Sequence, residues 1–122
     1  MPRTKHIFNS LMRPETWRPN DDHMKAIQQF DKTGCFNHSD ENRFTGAYYF
    51  DIQDIQPFME SLGFQTLQLV GSNVATSLNE SHWDYWRAKE EEREVLDLII
   101  NKATDPYLLG MSSHFLYIGK KR

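Results

Sequence analysis

Four side chains in one short stretch carry the best case for chemistry: Arg43, Thr45, Tyr48 and Tyr49. A guanidinium offers a fork of donors to an anionic group, and hydroxyls orient a polar molecule by hydrogen bonds. Each of these groups can contact a small polar or anionic molecule. The competing reading is packing, in which each tyrosine buries a ring and satisfies one polar handle.

Other candidates are weaker. Cys35-x-x-His38 supplies two metal ligands, but structural zinc needs four and no second pair stands at a suitable spacing. As a nucleophile and base the same pair lacks an identifiable orienting group. Trp83 and Trp86, three apart, form an aromatic stripe that suits packing better than a ligand cage. Arg13 and Trp17, set between prolines, can close over a ligand or pack at the surface.

These groups must be held by a chain of 122 residues, one domain by size. Apolar residues make up 39% and aromatics 13%, which excludes a disordered tail. The net charge of −3 argues against a general nucleic-acid binder. Cys35 is the single cysteine, so no intramolecular disulfide forms, and a reducing compartment is favoured. No stretch resembles a signal peptide or a membrane span, so the expectation is a soluble cytoplasmic protein with no membrane partner.

The elements follow from periodicity. Ile7, Phe8, Leu11 and Met12 mark one face of a helix from Thr4 to about Arg13. A second helix starts at an Asn20 cap with Asp21 and Asp22 in its first turn. It carries Met24, Ile27 and Phe30 inward and stops at Gly34. Both faces are narrow, which suggests a lid or insertion rather than a core. Residues 35–43 are polar and turn-rich, and 44–50 are aromatic and extended. A helix follows with Ile52, Ile55, Phe58, Met59 and Leu62 on one side; Pro57 requires either a start at Asp54 or a kink. Residues 64–70 form a strand. One long helix then runs from a cap at Asn79 or Ser81 to about Lys102, with a charged, solvated middle at 87–94. Asp105 caps a single turn that Gly110 ends, and 114–118 form the final strand, whose apolar run suits a central place in a sheet. The fold class is α+β, with residues 1–43 a helical lid and loop and 44–122 a helix–strand–helix–strand unit.

The segments Gly63-Phe64-Gln65-Thr66-Leu67-Gln68-Leu69-Val70-Gly71 and Asp105-Pro106-Tyr107-Leu108-Leu109-Gly110-Met111-Ser112-Ser113-His114-Phe115-Leu116-Tyr117-Ile118-Gly119 carry a resemblance. With Thr33-Gly34-Cys35-Phe36-Asn37 and Phe44-Thr45-Gly46-Ala47-Tyr48-Tyr49-Phe50 they resemble the C-terminal part of one group of class I S-adenosylmethionine-dependent methyltransferases. The resemblance runs from about residue 33 onward. It implies that residues 64–70 and 114–118 pair antiparallel, and that the stretch holding Arg43, Thr45, Tyr48 and Tyr49 leads from a lid to the acceptor pocket. Where the group commonly has a histidine after its Tyr-Phe pair, this chain departs, so no acid–base role is carried over.

The cofactor side has no counterpart. The six glycines, Gly34, Gly46, Gly63, Gly71, Gly110 and Gly119, include no Gly-x-Gly turn. The chain by itself is therefore expected to bind no S-adenosylmethionine. The resemblance implies the cofactor for a complete enzyme, of which this chain is an excised piece, a truncated product or one half of a split protein. Expected partners are a small-molecule substrate in that enzyme and either an N-terminal methyltransferase half or a second copy paired through the final strand. The alternative is a stand-alone cytoplasmic binding or interaction module, favoured by the Met1 start, the aromatic content and the lack of a complete catalytic set.

Overall fold

The computed structural model describes residues 1–17, 22–36, 46–73 and 78–122. Within them the fold is α+β: five helices and two antiparallel strand pairs. Helix α1 (Arg3–Met12) follows Pro2, whose fixed φ suits a helix start. The Arg13 N–H closes the helix on the Asn9 carbonyl at 2.9 Å, and Pro14 opens a 3-10 turn, Pro14–Thr16. Helix α2 (His23–Thr33) begins later than its sequence suggests. Asp22 is the cap, its carboxylate accepting the Lys25 N–H at 3.2 Å, while Asn20 lies outside the described residues.

Gly34 ends α2 in the left-handed region at φ 70°. No other residue suits this position, because a Cβ here would press on the Arg3 guanidinium and come within 2.8 Å of the Tyr49 carbonyl. Strand β1 (Cys35–Phe36) leaves this turn and pairs with β2 (Ala47–Tyr48), Cys35 opposite Tyr48. The Tyr49 N–H donates to the Gly34 carbonyl at 2.8 Å and continues the pairing.

The N-terminal helices build a core of their own. Trp17, Ile27 and Phe30 are buried, with Ile7, Ala26, Phe36 and Tyr49 packed around them. This corrects three expectations. The narrow helical faces do make a core. Trp17 is an interior residue at 5% exposure, not a surface one. The inward side of α1 is not its apolar stripe: Ser10 is buried, while Phe8, Leu11 and Met12 are exposed. Ser10 tolerates burial because its hydroxyl donates to the His6 carbonyl at 2.8 Å, one turn back.

Helix α3 (Ile52–Ser61) is capped by Asp51, which accepts the Gln53 N–H at 3.4 Å. The helix starts before Asp54, so Pro57 sits inside it and removes one ladder donor. Ile55 is buried; Phe58 and Leu62 remain exposed. Strand β3 (Phe64–Ser72) follows, with α3 packed along it.

Where one long helix was expected, two short ones form: α4 (Glu80–Ala88) and α5 (Glu92–Lys102). Glu90 breaks them at φ 58°, inside the run Glu90-Glu91-Glu92, where adjacent like charges and the lack of an apolar group leave no packing to hold a helix straight. Asn79 is the cap of α4, in a reciprocal box with His82: Asn79 Oδ1 accepts the His82 N–H at 3.2 Å, and His82 Nδ1 accepts the Asn79 N–H at 3.1 Å. Arg87 reaches across the break. Its Nε donates to Glu92 at 3.1 Å, and Asp84 and Glu80 lie at 3.2 and 3.6 Å. The hydrogen bond to Glu92 chiefly holds the guanidinium above its ordinary pKa, although the group is solvent-exposed.

Asp105 caps a turn through the Tyr107 N–H at 2.9 Å. A 3-10 turn, Leu109–Met111, follows, so Gly110 lies inside the turn it was expected to end. Strand β4 (His114–Lys121) then pairs antiparallel with β3, from Ser72 opposite His114 to Phe64 opposite Lys121, with a bulge between Thr66 and Gln68. The pairing matches its sequence expectation and both strands run longer. Among the described residues β3 and β4 form a two-stranded sheet, so the outer edge of β4 has no neighbouring strand there, and Leu116 stays 60% exposed.

Candidate functional site

Of the four candidate substrate contacts, Tyr48 and Tyr49 are placed; Arg43 and Thr45 lie outside the described residues, as does His38. Successive side chains on extended backbone leave on opposite faces. Tyr49 turns inward. Its ring stacks on His6 at 4.6 Å and 22°, and meets Phe30 edge-on at 5.4 Å. His6 also meets Phe30 at 4.8 Å and Phe36 at 5.0 Å, so the imidazole stands within aromatic walls. Tyr48 turns outward, half exposed, against the ring of Phe50 at 4.9 Å.

Arg3 ties these together, and no sequence pattern singled it out. Its Nε donates to the Tyr49 carbonyl at 3.0 Å, Nη1 to the Asp31 carbonyl at 3.4 Å and Nη2 to the Tyr48 hydroxyl at 3.1 Å. The guanidinium also lies 5.6 Å over the Tyr48 ring. A phenol that accepts one hydrogen bond can still donate another. Tyr48 thus presents its hydroxyl at the surface, held by Arg3. Tyr49, in contrast, spends its ring on packing and its backbone on the hairpin.

Residues of α1 and the 3-10 turn wall a groove of about 510 Å³, lined by His6, Asn9, Ser10, Met12, Arg13 and Thr16. None of these six is acidic, and Arg13 stands exposed at the groove. Ser10 is committed to the His6 carbonyl, and Asn9 Nδ2 lies 3.7 Å from the Met1 sulfur. Partial burial pulls the Met1 amine below its ordinary pKa. The groove has room for a small polar molecule beside His6 and Arg13. Its residues were legible only in part: Arg13 was singled out, whereas His6, Asn9 and Ser10 share a face that the apolar stripe does not mark.

Among the described residues, no group of three or more His, Cys, Asp or Glu is placed to hold a metal ion. Cys35 is exposed and free. No described helix is long and apolar enough to cross a membrane. Trp83 and Trp86 are partly buried on α4, and a Tyr85–Trp86 edge contact at 5.0 Å is packing within that helix.

No protein-family model matches the chain, and no curated protein is significantly similar to it. The functional reading therefore rests on the chain's own residues and on the resemblance of its motifs.

Proposed function

We propose that this chain is the acceptor-side, C-terminal portion of a class I S-adenosylmethionine-dependent methyltransferase. In this reading α1, α2 and the β1–β2 hairpin form the lid and acceptor contacts. Arg43, Thr45, Tyr48 and Tyr49 belong to the acceptor pocket, and β3 and β4 are the last two strands of a larger Rossmann-like sheet. The observation that carries it is the β3–β4 pair. A strand, a helical insertion, a tight turn and a final strand occur in the order the motifs imply, and among the described residues the sheet has two strands and exposed apolar groups at Leu116 and Ile118.

The glycines do not fit a cradle for S-adenosylmethionine. Gly34 ends a helix, Gly63 leads from a helix into a strand, and Gly71 lies against Ser112 and Leu109. None stands between a strand and a helix N-terminus, where a dinucleotide-like ligand needs close backbone approach. The cofactor therefore belongs to another part of the complete enzyme. The contribution of this part is alignment of the acceptor and exclusion of water, both of which lower a transfer barrier.

Calorimetric titration of the isolated chain with S-adenosylmethionine tests this division of labour. The expected result is no saturable heat; saturable binding at micromolar cofactor overturns it. A second reading, a stand-alone interaction module, draws on the Trp17–Ile27–Phe30 core, which closes without any other chain. It predicts that no cofactor half confers activity on the chain.

A further inference from the structure

We infer that two copies of this chain pair through the outer edge of β4, antiparallel and centred on Tyr117, to make one four-stranded sheet. The inference does not depend on the methyltransferase reading; a cofactor half using the same edge would exclude the second copy.

Strand β4 pairs with β3 on one side only among the described residues. Its other edge carries a row of backbone donors and acceptors, a template for another strand. The pleat puts His114, Leu116, Ile118 and Lys120 on one face of the strand. On that face Leu116 is 60% exposed and Ile118 is 40% exposed. Val70 stands opposite Leu116 in the ladder, and a shallow apolar groove of about 380 Å³ runs there between the strands.

The register centred on Tyr117 pairs the apolar groups of a second copy most completely, because centring on Leu116 would set Ile118 against His114. Residues directly opposite in an antiparallel pair share a face of the sheet, so a two-fold axis must pass through a residue rather than between two. Centring on Tyr117 sets Leu116 opposite Ile118 of the other copy, twice. It extends the row from Val70 through Leu116 to the second copy's Ile118. It also sets Lys120 opposite His114, so the basic ends of the two strands lie at opposite ends of the interface. Centring on Ile118 would instead place Leu116 against Lys120, and a parallel arrangement would stack Lys120 and Lys121 on their own copies, which like-charge repulsion disfavours.

Sedimentation equilibrium of the full chain at high micromolar concentration is the first test, with twice the chain mass expected. A strict monomer overturns the inference. Leu116→Lys should raise the dissociation constant at least about tenfold, since it sets a charge against Ile118 on both sides of the axis. Unchanged far-UV circular dichroism shows that the variant still folds, and unchanged association in a folded variant contradicts the interface. The register is tested in a Cys35→Ser background. Leu116→Cys with Ile118→Cys should give a disulfide-linked dimer under mild oxidation, and either single cysteine should link far more slowly. Equal linking by the single variants rejects the Tyr117-centred register.

Discussion

Arg3 and Tyr49, forty-six residues apart in sequence, are joined by a hydrogen bond from the Arg3 Nε to the Tyr49 carbonyl at 3.0 Å. The Arg3 N–H donates to the adjacent Phe50 carbonyl at 2.9 Å. The first turn of α1 is thereby clamped to residues 49–50, directly after β2. Replacing Arg3 by Met keeps the stem but removes donors to two carbonyls and a phenol. We expect a loss of about 1–3 kcal/mol in urea unfolding, the range for a charged hydrogen-bonding group. Arg3→Lys should recover only part of it, because an ammonium cannot reproduce the fork. No change in the Met variant would show the clamp to be incidental.

Gly34 stands beneath that clamp. Gly34→Ala forces a side chain into φ 70° and against the guanidinium. The left-handed conformation alone costs about 1–2 kcal/mol for a residue with a Cβ. The same substitution at Gly63, also at positive φ but with open space around it, should cost less. Parallel thermal denaturation of the two variants compares strain plus clash with strain alone.

Two phenylalanines, Phe30 on α2 and Phe8 on α1, give a sharper contrast. Phe30→Ala should cost about 3–5 kcal/mol, as for a large core ring. Phe8→Ala should stay within about 0.5 kcal/mol, as at an ordinary surface position. By sequence pattern both phenylalanines belong to buried stripes. Chemical unfolding of the two variants shows which pattern the core follows.

That contrast marks how far the sequence could be read. Strands β3 and β4 were legible as strands because their apolar, β-rich runs are bounded by Gly63 and by the Asp105-Pro106 turn, both local signals; their antiparallel pairing came only as what the resemblance implies. The end of α2 was legible at Gly34 for the same reason. The inward face of α1 was not, because Ser10 is buried through a bond to its own helix while Phe8 is left half exposed. Trp17 was misplaced at the surface because its burial depends on Ile27 and Phe30 from the next helix. Arg3 was missed because its acceptors are distant backbone carbonyls, which leave no trace in spacing. The break at Glu90 has a local cause, a run of acidic residues, that was read as a solvated stretch of one helix. Of the candidate site, Tyr48 and Tyr49 were named in advance, but their opposite orientations follow from the hairpin register.

Arg87 holds the two helices across that break. Arg87→Met should speed amide hydrogen exchange in residues 89–92 relative to the unchanged chain. The difference should shrink in high salt, because exposed pairs are screened beyond the Debye length. Equal exchange in both chains at low salt would mean the break is held by its backbone alone.

The most direct test of the proposed function is reconstitution. The chain is mixed with the cofactor-binding half of a class I methyltransferase of the group it resembles, and transfer of a labelled methyl group to small acceptors is measured. The account predicts no transfer by either part alone and transfer by the mixture, with Tyr48→Phe lowering it through weaker acceptor binding. Transfer by the isolated chain would contradict the account, as would saturating mixtures that stay inactive while both parts remain folded.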